Sequence, residues 1–178
     1  MFDTILLLAG GLVIAVATLA LVFIVGMRTK SPLVLDALIA LGKHGFNKIG
    51  LRTAGQAGVA TARIHHVGRV SGRAYETPVG AVPTDDGFLI MLPYGLRSQW
   101  LRNVLASGSA RLDFDGRSHD VIQPEIVQFA TVDSAFGPGD RRLSRLLDVR
   151  DVLRIRRVDR VGAASTSVAA GDRVATAA

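Results

Sequence analysis

From Ile5 to Met27 the chain carries no charge, and only Gly10, Gly11, Thr18 and Gly26 break a run of apolar side chains. At the usual 1.5 Å rise a helix over this stretch is about 34 Å long, enough to cross the hydrocarbon core of a bilayer. A chain that opens this way either keeps the segment as an anchor or loses it as a signal. A cleaved signal has a basic leading region, a shorter apolar core and a small-residue cleavage site. Here the only charged side chain ahead of the run is Asp3, and the core is too long. No polar face runs along it, which argues against a core helix of a globular protein. Residues 1–30 therefore read as one transmembrane anchor. Arg28 and Lys30 follow directly, with Lys43, Lys48 and Arg52 beyond. The positive-inside rule then places residues 28–178 in the cytoplasm, in a single-pass protein of the cell membrane.

Residues 31–58 read as an amphipathic helix and a linker. Ser31-Pro32 is a helix start, with serine at the cap and proline at the first helical position. Leu33, Val34, Ala37, Leu38 and Leu41 recur at helical spacing, while Asp36, Lys43, His44 and Lys48 are polar. Such a helix suits either the lipid headgroup region or the domain behind it. Thr53 to Gly58 is small and flexible, a linker.

Residues 59–160 read as one β-rich domain. Strands are expected at 60–67, 74–82, 88–92, 110–114, 117–123 and 152–158. Turn signals separate them at Gly68–Arg73, Thr84–Gly87 and Asp115-Gly116. Phe88 to Leu92 is wholly apolar and predicts a strand buried on both faces. A helix from Ser98 to Ala106 carries Trp100, Leu101, Val104 and Leu105 on one side and stops at Gly108. A short basic helix follows at 139–147. Six short strands with inserted helices predict a mainly β fold with α elements, a small antiparallel barrel rather than a doubly wound sheet. Residues 161–178, rich in alanine, serine, threonine and glycine, predict a disordered tail.

Composition removes several chemistries. The chain has no cysteine, which excludes a disulfide scaffold, a thiolate-ligated metal and a cysteine nucleophile. His65 and His66 are adjacent, so on a strand they point to opposite faces and cannot share a metal; no metal site is expected. Ser71 lacks the strand–turn–helix setting of an activated serine. The net charge of +6 suits an anionic partner. The arginines between 141 and 160 have no interleaved aromatics, so nucleic acid is not expected; a solvated or membrane-facing basic surface is.

Two loops are left to carry function. Gly68-Arg69-Val70-Ser71-Gly72-Arg73 combines glycines, a hydroxyl and two guanidiniums, suited either to a phosphate cradle or to a basic surface turn. Tyr94-Gly95-Leu96-Arg97-Ser98-Gln99-Trp100 leads into a helix N-terminus, which favours anions through its free N–H groups. Trp100, the only tryptophan, either walls a flat ring or packs the helix on the barrel. Asn103 shares its side and is placed to bond a loop backbone.

The segments GRVSGRAYETPV and LPYGLRSQWLRNVLASGSARLDFDGRSHDVIQPEIV resemble the deazaflavin-dependent nitroreductase family, over roughly residues 45–130. The resemblance implies a split β-barrel related to flavin-binding barrels, binding coenzyme F420, with FMN as the alternative. It implies that Arg69, Ser71 and Gly72 hold the phosphate and its tail. Thr77 and Pro78 line the wall near the ring, and Tyr94, Gly95, Arg97, Ser98 and Trp100 close the other side. Family members often have a second base where this chain has Val70, and the loop before Trp100 is shorter than in nitroimidazole-activating members. The expected activity is hydride transfer from the reduced deazaflavin to a lipophilic acceptor, a quinone or a nitro compound, with Tyr94 as proton donor. Expected partners are the cofactor, membrane lipid and a second copy of the chain in a homodimer. A non-catalytic anchored barrel that binds the cofactor or docks on a membrane complex is the other reading.

Overall fold

The computed structural model describes residues 2–41 and 47–158. The expected tail at 161–178, and Lys43 and His44, lie outside the described residues.

Helix α1 (Phe2–Arg28) contains the apolar run. Its Leu7–Arg28 stretch is long and apolar enough to cross a membrane, and its side chains are exposed up to the last turn. Only its last turn meets the rest of the chain. There Met27 joins Leu35, Leu147 and Val149 in a small apolar cluster, with Leu38 and Met91 against it.

Helix α2 (Pro32–Leu41) starts at the proline. Leu35 is buried while Leu33 is 82% exposed, so the packed face is rotated from the expected one. The close approach of Val34 to Gly26 sets that rotation, because a Cβ at Gly26 would overlap the valine side chain. Leu35 and Leu38 pack on the protein, in the cluster with Met27, Leu147 and Val149. Helix α3 (Asn47–Thr53) occupies a stretch with no helical periodicity of its own. It packs over the barrel wall, where a Cβ at Gly50 would lie 3.2 Å from the Pro78 ring.

The strands are β1 (Thr61–Val67), β2 (Ala74–Pro83) and β3 (Gly87–Met91), then, after helix α4 (Gln99–Ser107), β4 (Ser109–Phe114) and β5 (Arg117–Gln128). Helices α5 (Phe129–Val132) and α6 (Pro138–Leu147) precede β6 (Asp151–Arg157). All neighbours are antiparallel, and the sheet closes in the order β1-β2-β3-β6-β5-β4.

Alternation fills the barrel. On β1, Ala62, Ile64 and His66 are buried while Arg63 and His65 face outward. Phe88, Leu89 and Ile90 of β3 are all buried, the first and third in the barrel core and Leu89 in a second cluster with Val132, Phe136 and Val152. Strand β5 runs further than its alternation suggests. Gln123 adopts φ 54° before Pro124, and the pairing with β6 slips between Ile122 and Glu125. This bulge hides the second half of the strand from a period-two reading. Gly87 meets the facing strand so closely that a Cβ would lie 1.9 Å from the Ile155 carbonyl.

Candidate functional site

The turn at 68–73 joins β1 to β2 and leans on the first two turns of α4. Gly68 N–H bonds the Arg73 carbonyl, Gly72 N–H bonds the Gly68 carbonyl, and Gly72 takes φ 65°. The space beside Gly72 is open. From Arg69 to Glu76 every side chain is exposed.

One buried residue fixes this turn. Asn103 of α4 is 6% exposed, and its Oδ1 accepts from the Arg69 backbone N–H at 3.2 Å and from Arg69 Nη1 at 3.0 Å. Arg69 Nη1 also donates to Gln99 Oε1 at 3.0 Å. Since both donors on Oδ1 belong to an arginine, the amide orientation is set, and Asn103 Nδ2 donates to His66 Nδ1 at 3.1 Å. His66 Nδ1 therefore carries no proton, and its Nε2–H donates to Thr77 Oγ1 at 3.1 Å. The imidazole is held neutral. Burial, and secondarily the neighbouring His65, push the His66 pKa below its ordinary 6.5. Tyr75 stacks on the same ring at 5.8 Å, and its hydroxyl lies 3.2 Å from Ser71 Oγ. Arg69, Ser71 and Thr77 are thus brought into one network. Asn103 meets the loop backbone as its helical position suggests. The role of His66 was missed. Its signal was its inward register on β1, in line with Ala62 and Ile64.

The second loop is arranged differently. Gly95 takes φ 62° with open space beside it. Tyr94, Gly95 and Arg97 line a cavity of about 420 Å³ together with Arg28, Lys30 and Arg150. Arg97 Nη2 pairs with Asp36 Oδ1 of α2 at 3.3 Å. Ser98 is buried and sits at the cap position of α4, yet its side chain makes no capping bond. Trp100 is partly buried and packs against the barrel core. Buried Leu101 and Val104 hold the helix to the barrel, whereas Leu105 is 39% exposed and lies off that face. Gly108 ends the helix in the left-handed conformation, its N–H on the Val104 carbonyl. Pro78 lies under α3. The two loops share α4.

Outside the barrel His65 Nε2 donates to Asp113 Oδ2 at 2.7 Å, with Glu76 Oε1 3.4 Å from its Nδ1. Burial alone would raise the Asp113 pKa, but hydrogen bonds from Ser118 and His65 and the charges of His65 and Arg63 outweigh it and hold it below the ordinary value. Among the described residues no group of three or more ligating side chains is placed to hold a metal.

The first loop fits a phosphate-bearing cofactor. Arg69 rests on neutral amide oxygens, and among the described residues neither Arg69 nor Arg73 forms a salt bridge. Their charge is uncompensated at an exposed turn whose glycine leaves open space.

Residues 45–129 match the family described as F420H(2)-dependent quinone reductase. No match is found among curated proteins. Among solved structures, the haem storage protein HutZ from Vibrio cholerae aligns with TM-score 0.39 and 16% identity, over 55% of this chain and 81% of that one. An F420 reductase aligns with TM-score 0.39 and 16% identity, over 56% and 86%. An F420-H2-dependent reductase, FDR-A, aligns with TM-score 0.37 and 12% identity, over 53% and 94%.

Proposed function

We propose that this chain, whose residues 45–129 match the F420H(2)-dependent quinone reductase family, is a membrane-anchored reductase that passes hydride from reduced F420 to a lipophilic acceptor of the quinone class. The observation that carries the reading is that match, which spans both loops. When bound, the reduced deazaflavin supplies the hydride. The chain's own residues bind, orient and exclude water. Arg69, Ser71 and Gly72 hold the phosphate and tail, with Arg73 adding charge in place of the base that Val70 lacks. Thr77, fixed by His66, and Pro78 form the wall nearer the ring. Ser98 and Trp100 set the start of α4 against the barrel and close the other side. Tyr94, 37% exposed beside Gly95 and Arg97, holds a phenolic proton on the side facing the anchor and donates it to the reduced acceptor.

The anchor supplies effective concentration. A quinone with a long tail partitions into the bilayer, and α1 holds the barrel within reach of it. Titrating the full chain, in detergent or nanodiscs, into F420 should give a saturable change in cofactor fluorescence; a flat titration overturns the cofactor assignment. Removing residues 1–24 leaves in place Met27, Arg28 and Lys30, which touch the barrel. That shortened chain should keep its activity on a short-chain soluble quinone and lose most of it on a long-chain quinone in vesicles. Equal activity of both chains on the long-chain acceptor overturns the role given to the anchor.

A further inference from the structure

The end of α1 is tied to the end of α6. Arg28 Nη1 donates to the Arg145 carbonyl at 2.8 Å and to the Leu146 carbonyl at 3.3 Å. Lys30 Nζ donates to the Leu147 carbonyl at 3.2 Å and to the Pro93 carbonyl at 3.0 Å. The Arg145, Leu146 and Leu147 carbonyls are among those that a helix leaves without partners at its C-terminus, and cations there are favoured by the helix dipole. Arg28 is also the last residue of the stretch able to cross a membrane. Its guanidinium belongs at the depth of the lipid headgroups, so the last turn of α6 lies at that depth too.

The outer face of α6 suits that place. Ser144 and Leu147 are buried on the barrel side. Leu143 and Leu146, one turn apart, are 43% and 47% exposed. Arg142 and Arg145 lie exposed beside them, at the same spacing. Leu33, 82% exposed, stands in the first turn of α2, immediately after the span. Leucines flanked by arginines on a helix beside a membrane span are the pattern of an interfacial helix, with apolar side chains at the acyl boundary and guanidiniums on phosphates.

We propose that α6 is a second membrane contact, which lies on the anionic cytoplasmic leaflet with Leu143 and Leu146 at the acyl boundary and Arg142 and Arg145 on lipid phosphates. The inference rests on the anchored reading above. It goes further by stating which face of the barrel is turned to the bilayer. The occupant of this face is the lipid surface that α1 enters, because the Arg28 contacts make the two continuous. The Thr84–Gly87 turn, at the other end of the β3–β6 pair from Met91 and Val152, is held away from the membrane.

The chain has no cysteine, so single labels can be placed cleanly. Full-length Leu143→Cys, Leu146→Cys and Asp85→Cys, each carrying an environment-sensitive fluorophore, are reconstituted in vesicles of phosphatidylcholine and phosphatidylglycerol containing brominated lipid. Labels at 143 and 146 should shift to the blue and lose most of their emission to the bromine, while the label at 85 keeps its own. Adding Arg142→Glu and Arg145→Glu should restore the emission at 143 and 146. Quenching at 143 and 146 no greater than at 85, or unchanged by the glutamates, overturns the proposal. Carbonate extraction of the same vesicles separates the two readings. A chain that stays in the membrane with unquenched labels defeats only the α6 contact; a chain that is stripped off defeats the anchor and the contact together.

Discussion

Arg69 and Arg97 are alike in sequence, each an arginine in a glycine-containing loop beside the start of α4, but their partners differ. Arg69 is held by two neutral amides, Gln99 and Asn103. Neutral acceptors orient a guanidinium and leave its charge for a ligand. Arg97 is paired with the Asp36 carboxylate. A carboxylate orients it too, but cancels much of the field an anion would meet. The contrast teaches that an anion-suited loop is defined by what else its cation touches. By that measure the first loop leaves a cation open to a negative group, and the second ties the barrel to α2.

The largest effect expected from this contrast is on cofactor affinity. Arg69→Ala should weaken F420 binding by about 1.5–3 kcal/mol, the usual worth of a hydrogen bond to a charged group, or roughly 10- to 150-fold. Arg97→Ala should change it far less. Fluorescence titration of both variants decides the matter, and equal losses would break the distinction between the loops.

Next is the device that holds Arg69. Asn103→Leu keeps the volume but strands the Arg69 N–H and takes the donor from His66 Nδ1. It should cost about 1–3 kcal/mol of stability, read from the denaturant midpoint, and should weaken cofactor binding through the loosened turn. Unchanged stability would mean that water serves both groups as well as the amide does.

A smaller effect is expected from pH. The His66 pKa is lowered in the folded chain, by burial first and by His65 second, from an ordinary 6.5. As pH falls, the unfolded chain takes up this proton before the folded one, so stability rises with pH through this range. The contribution is complete above about pH 7 and is lost as pH falls below the unfolded value toward the folded one. His66→Gln should flatten that part of the melting-temperature profile. A profile equally steep in the variant would place the titration elsewhere.

The smallest effect belongs to the second loop. Arg97 and Asp36 side chains are 43% and 63% exposed, so their pair is worth about 0–1 kcal/mol. A double-mutant cycle with Arg97→Ala and Asp36→Ala should return a coupling within that range and smaller in high salt. A coupling well above it would make this loop as firmly built as the first.

The strands of the barrel were legible because side chains alternate, and the turns because Asp115-Gly116 takes φ 49° and 73°, as a tight hairpin demands. What escaped was set by distant neighbours. Helix α3 holds together by lying on Pro78, far along the chain, and its own sequence, with Gly50 at its centre, carries no stripe. The second half of β5 was hidden by a bulge at Gln123. In the site, Arg69 and Asn103 could be read from loop chemistry and helix spacing. His66 was weighed only as a metal ligand, because the amide that fixes its tautomer lies 37 residues further on. The Asp36 partner of Arg97 is equally remote in sequence, at 61 residues.

The clasp between Arg28 and the end of α6 also orders events in time. Its partners are 117 residues apart, so it cannot form until nearly the whole described chain has left the ribosome. Helix α1 is made before α6, with Arg28 still unclaimed. The barrel then closes, pairing β1 with β4 and β3 with β6, contacts of long sequence separation that form slowly. The clasp is therefore among the last contacts to form, and it reports on the others. A barrel that closes wrongly presents no helix end to Arg28 and stays joined to α1 through residues 29–31. Protease should cut it there, so the same contact that orients the finished protein leaves an unfinished one open to removal.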